Sequence, residues 1–249
     1  MATFQGIGTF NETITPTFVS PTVLSFPLPG LKPSNAADTI NAGAGNDNVD
    51  GSGGIDRIDG GLGRDIIRGG SGNDDIQAGP ELADADPLND RDSVFGGLGN
   101  DFISGGSDDD TLLGDGGNDT ISGGLGRDSL IGGSGSDAMS GGDGFDRYDF
   151  NAASESVVGN NRDVVGIDTD GVGASLGDQI DLRDVAAGSL TFRGTAAFTG
   201  VNQVRVVESV AGNTVVQVNL SGSAAPEMEI MALDGDATAA QWASIDFLL

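Results

Sequence analysis

Aspartate recurs every nine residues through the middle of the sequence, and its carboxylate is the group there most able to do chemistry. The chain has no histidine and no cysteine, which excludes imidazole or thiolate metal sites and histidine-dependent catalytic triads. Carboxylates are hard oxygen ligands that suit Ca²⁺. The members of the series are Asp38, Asp47, Asp56, Asp65, Asp74, Asp92, Asp101, Asp110, Asp119, Asp128, Asp137 and Asp146.

Each aspartate belongs to a repeated unit that can be written G-G-x-G-x-D-x-U-x, where U is apolar. Gly60–Arg68, with the sequence GGLGRDIIR, is a complete copy. Glycine allows the positive φ angles of a tight turn, and the single apolar side chain can point into a thin core between two parallel sheets. The unit therefore predicts an all-β fold, a parallel β-roll whose turns carry the aspartates.

The spacing of the aspartates predicts that they share metal ions. If two units form one coil, aspartates of alternate units lie on the same turn edge, about 4.8 Å apart. Because Ca–O distances are about 2.4 Å, two stacked carboxylates can reach one ion, and backbone carbonyls can complete its roughly six oxygen ligands. Mg²⁺ requires shorter bonds and keeps its water, so calcium is the predicted metal. The alternative is that the aspartates only form turns on a solvated solenoid.

The charge of the chain favours the metal-binding interpretation. The chain carries 38 acidic and 11 basic residues, a formal net charge of −27, which excludes a nucleic-acid-binding surface. Residues 38–149 alone hold 24 acidic and 6 basic residues. Stacked carboxylates repel one another without cations, and a thin core cannot offset the ordering entropy of so many glycines. We therefore predict that the roll folds only when calcium binds.

The repeat resembles that of the RTX family of bacterial proteins, which are exported by type I (ABC-transporter) secretion. The resemblance implies a right-handed parallel β-roll with roughly 8 to 10 Ca²⁺ ions along its two turn edges. It also implies that one turn supplies the carbonyls of unit positions 2 and 4, and that the turn one coil later supplies those of positions 1 and 3. The two aspartates complete the site, and one such site would comprise Ser52, Gly54, Asp56, Gly69, Ser71 and Asp74.

The same resemblance implies a set of backbone carbonyl ligands along the whole roll. These are the carbonyls of Gly43, Gly45, Ser52, Gly54, Gly61, Gly63, Gly69, Ser71, Gly97, Gly99, Gly105, Ser107, Gly114, Gly116, Gly123, Leu125, Gly132 and Ser134. Units that depart from the glycine pattern lose little, because the carbonyl rather than the side chain is the ligand.

The residues after the roll are similar to the C-terminal domain of serralysin-type metalloproteases, although the chain, having no histidine, lacks the H-E-x-x-H motif. Segments 189–209, 214–220 and 227–233 alternate with period two and predict antiparallel strands. The last residues predict a short helix and an apolar tail. Asp246 before Phe247, Leu248 and Leu249 resembles the terminal secretion signal of that group, and the alternative is a C-terminal strand packed on the core.

Three parts of the chain are predicted. Residues 1–37 form an extended cap over the first coil of the roll, or alternatively a tether. Residues 38–150 form the β-roll, and residues 151–249 form a C-terminal β-rich capping and secretion domain. The N-terminus lacks the basic region and apolar core of a Sec signal, and no apolar run is long enough to span a membrane.

One stretch interrupts the nine-residue period between Asp74 and Asp92. Either residues 78–86 form a degenerate unit and Asp92 stacks over Asp74, or residues 80–90 form a loop and Asp92 stacks over Asp65. The degenerate unit has no ligand at its sixth position and a proline beside its strand, where a hydrogen-bond donor is lost. We predict the loop, which leaves both aspartate columns unbroken.

The predicted function is that of a secreted, non-catalytic calcium-binding protein, outside the cell or at its surface. Its predicted partners are calcium, the type I secretion apparatus and a surface, matrix or host protein. One alternative is the folding and secretion module of a larger exoenzyme, and a third hypothesis is a carboxylate-only enzyme that acts on polysaccharide. The acids outside the repeats disfavour the enzyme because they form no recognisable constellation: Asp168, Asp170, Asp178, Asp181, Glu227 and Glu229.

Overall fold

The computed structural model describes residues 12–14, 37–43, 45–80, 91–167, 177–209, 213–233, 242 and 247–249. Within these ranges the chain forms β-strands and no helix, as the repeat unit predicts. No helix in the described part of the chain is long and apolar enough to cross a membrane. The strands are β1 (Glu12–Ile14), β2 (Asp38–Asn41), β3 (Asn48–Asp50), β4 (Arg57–Asp59), β5 (Ile66–Ser71), β6 (Asp75–Gln77), β7 (Ser93–Leu98), β8 (Phe102–Ser107), β9 (Thr111–Gly116), β10 (Thr120–Gly126), β11 (Ser129–Ile131), β12 (Ala138–Gly144), β13 (Arg147–Asp149), β14 (Asp163–Gly166), β15 (Gln179–Asp181), β16 (Thr191–Phe192), β17 (Gln203–Glu208), β18 (Thr214–Asn219), β19 (Met228–Leu233) and β20 (Phe247–Leu248).

Successive strands of the repeats alternate between two parallel sheets. The even-numbered strands β2 to β14 lie in one sheet, called sheet A here, and the odd-numbered strands β3 to β15 lie in the other, sheet B. Ile40 is paired with Ile58, and Ile58 with Ile76, so equivalent residues of neighbouring coils lie side by side. Two units therefore form one coil, and the prediction of a parallel β-roll is confirmed.

One inward-facing side chain per unit forms the core of the roll. The residue two positions after each aspartate is at most 4% exposed in every unit from Ile40 to Tyr148. Its neighbours on either side face outward and are half-buried or exposed, which is the alternation expected of a strand with one covered face. The core between the sheets is therefore only two apolar side chains thick.

Across the interruption of the period, the strands pair in the register that the loop prediction requires. β5 pairs with β7 in the register Ile67–Val94, and β6 pairs with β8 in the register Ile76–Ile103. The aspartates across this step are 27 residues apart in sequence instead of 18, and the pairing of both sheets continues through it. Residues 81–90 lie outside the described ranges.

Both sheets extend beyond the repeats. At one end, β1 pairs in parallel with β2 of sheet A, within the segment where the N-terminal cap is predicted; residues 1–11 and 15–36 lie outside the described ranges. At the other end, β14 pairs with β12 and β15 pairs with β13. The division of the chain at residue 150 stays a prediction, but the hydrogen-bonded sheets do not stop there.

The C-terminal strands continue sheet A. β18 is antiparallel to both of its neighbours, β17 and β19, as predicted. β19 also pairs in parallel with β14, and β16 in parallel with β17, so the predicted antiparallel domain is a mixed extension of the roll and not a separate sheet. The difference arises because the last coil leaves the edge of β14 open, and β19 can complete its hydrogen bonds.

The end of the chain forms a short strand. β20 pairs in parallel with β15, and its Phe247 is buried with its ring 5.1 Å from that of Phe192 and 5.4 Å from that of Trp242. The predicted helix falls within residues 237–246, which lie outside the described ranges except for Trp242. The secretion signal stays a prediction.

The turns depend on glycine at the second and fourth positions of the unit. Gly117 has a φ of +145°, and a Cβ placed on it would lie 1.7 Å from the carbonyl oxygen of Gly99 in the preceding coil. Three turns have another residue in this left-handed region: Ser52, Asp108 and Asp115. These residues bear a conformational strain that glycine would not.

Two substitutions in one turn should have opposite effects. Asp115→Gly should raise the free energy of unfolding of the calcium-loaded protein by about 1 kcal/mol, because it removes a left-handed non-glycine residue. Gly117→Ala should lower it by about 3 kcal/mol, because the new methyl group has no space. Urea unfolding in saturating calcium measures both, and equal effects of the two substitutions would contradict this account.

Candidate metal centre

Two columns of aspartates run along the two turn edges of the roll, and each column is held by a ladder of hydrogen bonds. The backbone N–H of each aspartate donates to Oδ1 of the aspartate one coil later, as Asp56 does to Asp74 at 2.8 Å. The loop does not interrupt the ladder, because Asp65 N–H donates to Asp92 Oδ1 at 2.6 Å. One column contains Asp38, Asp56, Asp74, Asp101, Asp119 and Asp137, and the other contains Asp47, Asp65, Asp92, Asp110, Asp128 and Asp146.

In seven of these carboxylates the second oxygen is buried and has no hydrogen-bond partner. Every column member from Asp47 to Asp146 is 3% exposed or less. Oδ2 is buried without a hydrogen-bond partner in Asp56, Asp74, Asp101, Asp110, Asp119, Asp128 and Asp137. A buried carboxylate oxygen with no partner costs free energy unless a cation or a proton compensates it.

The unpartnered oxygens share space with backbone carbonyls. A Cβ placed on Gly51, the first residue of its unit, would lie 2.6 Å from Asp56 Oδ2 and 2.6 Å from the carbonyl oxygen of Gly69. At Gly105 the corresponding distances are 2.5 Å to Asp110 Oδ2 and 2.6 Å to Gly123 O. Carboxylate and carbonyl oxygens that face one small space are the ligands Ca²⁺ prefers, so the residues fit the predicted ion.

Backbone oxygens must supply most of each coordination sphere. Among the described residues, no three acidic side chains converge on a point where a metal could bind. The predicted carbonyl ligand of Gly69 lies beside a carboxylate. The other two predicted carbonyls accept hydrogen bonds between coils: Ser52 O accepts from Ser71 N–H at 3.1 Å, and Ser71 O accepts from Gly54 N–H at 2.8 Å. A carbonyl oxygen has two lone pairs, so these bonds leave capacity for a metal. The other predicted carbonyls lie in equivalent turns, and the ligand sets stay predictions.

Burial makes the ionised columns unfavourable in the absence of a cation. The pKa of Asp110 is raised to about 9 and that of Asp119 to about 7. Burial is the largest cause of both shifts, and the charges of neighbouring column aspartates add to them. Burial likewise raises the pKa of Asp56, Asp101 and Asp128 to about 6. Bound divalent cations would reverse this preference, because they favour the charged carboxylate.

Two column members were missed by the repeat pattern. Asp137 N–H donates to Asp163 Oδ1 at 2.8 Å, and Asp146 N–H donates to Asp178 Oδ1 at 2.9 Å. Asp178, which was counted among the acids that form no constellation for an enzyme, therefore lies in line with the second aspartate column. The sequence signal for both was the D-x-U triplet, at Asp163–Val165 and at Asp178–Ile180. The segments before these triplets are longer than a repeat unit and lack its glycine pattern, so a search for the nine-residue period does not find them.

The pKa shifts predict an inverted pH dependence when calcium is removed. Because the folded-state pKa values lie above the ordinary value, protonation stabilises the calcium-free fold, and this stability is lost as pH rises through about 6 to 9. In excess chelator, the far-UV circular dichroism signal for β-structure should therefore increase on acidification from about pH 8 to about pH 5.5. A decrease over this range would contradict the prediction. In saturating calcium, protons compete with the metal, so acidification should not stabilise the fold.

Comparison with known proteins agrees with the geometry of the turns. The model of the RTX calcium-binding nonapeptide repeat matches the chain four times, over residues 34–58, 50–80, 88–121 and 113–148. The gap between the second and third matches falls within the loop. No curated protein matches the chain. The chain is similar to the solution structure of the AlgE6R3 subunit of the Azotobacter vinelandii mannuronan C5-epimerase, with 25% identity, over 60% of this chain and 77% of that chain, at a TM-score of 0.44.

Proposed function

We propose that this chain, which carries RTX calcium-binding nonapeptide repeats, is a non-catalytic, secreted calcium-binding protein that folds when it meets calcium outside the cell. Two uninterrupted columns of buried aspartates support this function most directly. In seven of their members, Asp74 and Asp119 among them, Oδ2 is buried without a hydrogen-bond partner. Multiple Ca²⁺ ions along the turns would supply the missing partners.

Calcium binding and folding are proposed to be one equilibrium. The core is only one apolar residue per unit, and the turns order many glycines, so apolar burial alone offsets little of the entropy lost. Carboxylate repulsion adds to this cost at neutral pH. A chain with these properties stays unfolded where calcium is scarce, as in the cytosol, and is then suited to passage through a type I secretion apparatus. Millimolar calcium outside the cell would fold it.

A groove on one turn edge is the proposed interaction surface. It has a volume of about 850 Å³, follows the column of Asp92, Asp110 and Asp128, and is lined by Arg64, Arg91 and Arg127, among others. The three arginines are exposed, and Phe145, also in the groove, is 47% exposed. The chain has only 11 basic residues, and these three arginines lie together where bound calcium would add positive charge. The groove suits an anionic polysaccharide of a matrix or cell surface, since arginine pairs with carboxylate and sulfate groups and an exposed ring can pack against sugar.

Two alternatives lead to different observations. If the chain is the folding and secretion module of a larger exoenzyme, a catalytic domain is encoded in frame before Met1. An enzyme that acts on polysaccharide by carboxylates alone is disfavoured because the ordered aspartates stack in the calcium columns. Turnover of a polysaccharide by the purified chain would decide for the enzyme.

Calcium titration tests the coupled folding. At neutral pH the chain should show little β signal in excess chelator and should gain it cooperatively as calcium is added, whereas equal magnesium should have little effect because it prefers shorter bonds and its own water. Far-UV circular dichroism follows the transition. A full β signal in chelator at neutral pH would falsify the coupling.

Substitution of the groove arginines tests the interaction surface. In millimolar calcium, the double substitution Arg64→Gln and Arg127→Gln should weaken binding to heparin, used as an anionic polysaccharide probe, by at least about tenfold, because two charge-assisted hydrogen bonds are lost. Arg57→Gln, on the outer face of sheet A, should bind like wild type, and neutral dextran should bind to none of them. Equal heparin affinity of wild type and the double variant, measured by titration calorimetry, would remove the groove from the proposal.

A further inference from the structure

The aspartate column of sheet A extends one coil beyond the repeats. Asp163, in β14, is 26 residues after Asp137, and its Oδ1 accepts the Asp137 N–H at 2.8 Å. Val164 N–H donates to the carbonyl of Asp137 at 2.8 Å, the same bond that repeat strands make one coil apart. Asp163 therefore occupies the place of a repeat aspartate, although residues 150–162 before it lack the G-G-x-G pattern.

Both carboxylates at this step have an unpartnered buried oxygen. Asp137 is 1% exposed and Asp163 is 0% exposed, and Oδ2 of each is buried without a hydrogen-bond partner. Arg162, the basic residue next to Asp163 in sequence, pairs with Glu229 instead, at 2.8 Å. Two adjacent buried carboxylates with unsatisfied oxygens require a compensating cation or a proton.

A third acidic side chain adds to the negative potential at this step. After burial, which is the largest cause, the charges of Asp137 and Glu155 raise the pKa of Asp163, and Asp137 also raises the pKa of Glu155. The three carboxylates therefore lie within electrostatic reach of one another. A divalent cation between Asp137 and Asp163 would offset this charge.

The column ends at Asp163 in contacts with the C-terminal sheet. Asp163 N–H donates to Ser156 Oγ at 2.8 Å, so a serine hydroxyl takes the place that the next aspartate would occupy. Ser156 Oγ in turn donates to the carbonyl of Glu229 in β19 at 2.5 Å. An ion held at Asp163 would therefore lie where the roll meets strands β17 to β19.

We propose that a calcium ion binds between Asp137 and Asp163, at a site outside the nonapeptide repeats, and orders the C-terminal sheet on the end of the roll. This inference rests on the proposed calcium-dependent folding of the chain. The two carboxylates supply the charged ligands, and backbone oxygens of the two turns supply the remainder. Folding of β17 to β19 thereby becomes calcium-dependent although those strands contain no repeat.

The substitution Asp163→Asn isolates this site. Asparagine keeps an oxygen that can accept the Asp137 N–H and removes the charge. At saturating calcium, native mass spectrometry should find one calcium fewer per chain than in wild type. Trp242 fluorescence, which reports the C-terminal region, should require about tenfold more calcium to reach its midpoint, while the circular dichroism transition of the roll keeps its wild-type midpoint. Glu208→Gln, an exposed charge removal in β17, is the matched control and should change neither quantity.

Ser156→Ala separates ligand loss from misfolding. It removes the last hydrogen bond of the ladder but keeps both carboxylates, so it should retain the full number of calcium ions even if the C-terminal sheet is destabilised. A loss of one ion in Asp163→Asn alone supports the site. An unchanged number in Asp163→Asn, or the same loss in both variants, overturns it. Wild-type protein that is folded in chelator would instead overturn the proposed function, so the two failures are distinguishable.

Discussion

The stacking of buried carboxylates at the turn edges is the interaction on which the rest of the structure depends. From Asp56 onward, each repeat aspartate uses one oxygen to hold the N–H of the coil before it, as in the pair Asp56 and Asp74, and this bond aligns neighbouring coils. The other oxygen is left facing a carbonyl in a space too small for a side chain. The geometry that aligns the coils therefore buries negative charge, and bound calcium compensates that charge.

The thinness of the core is the physical basis of the proposed link between metal binding and folding. Each unit contributes one buried apolar side chain and several glycines. One buried side chain offsets only a small part of the backbone entropy lost when nine residues become ordered. Ligand contacts in the turns are the proposed further source of stability.

The position of the loop shows which part of the unit tolerates insertion. The extra residues between Gly79 and Arg91 leave Asp92 and Val94 in phase with Asp65 and Ile67. An odd insertion within a strand would instead move the aspartate and the core residue to opposite faces. The longer turns before Asp163 and Asp178 follow the same rule, so both columns continue where the repeat is no longer recognisable.

The sequence by itself determined the roll, because a strict period places one aspartate and one apolar residue at the same point of every coil, and alternate units then have to stack. It also predicted the register across the interruption, because only the pairing of Asp92 with Asp65 keeps both aspartate columns unbroken. The tertiary structure alone decided the end of the roll. Asp163 and Asp178 join the columns through strand pairing across turns of irregular length, and β19 completes the edge of β14 through contacts between residues distant in sequence. Such non-local pairings depend on which edge remains open after the roll has formed, and no local pattern encodes that.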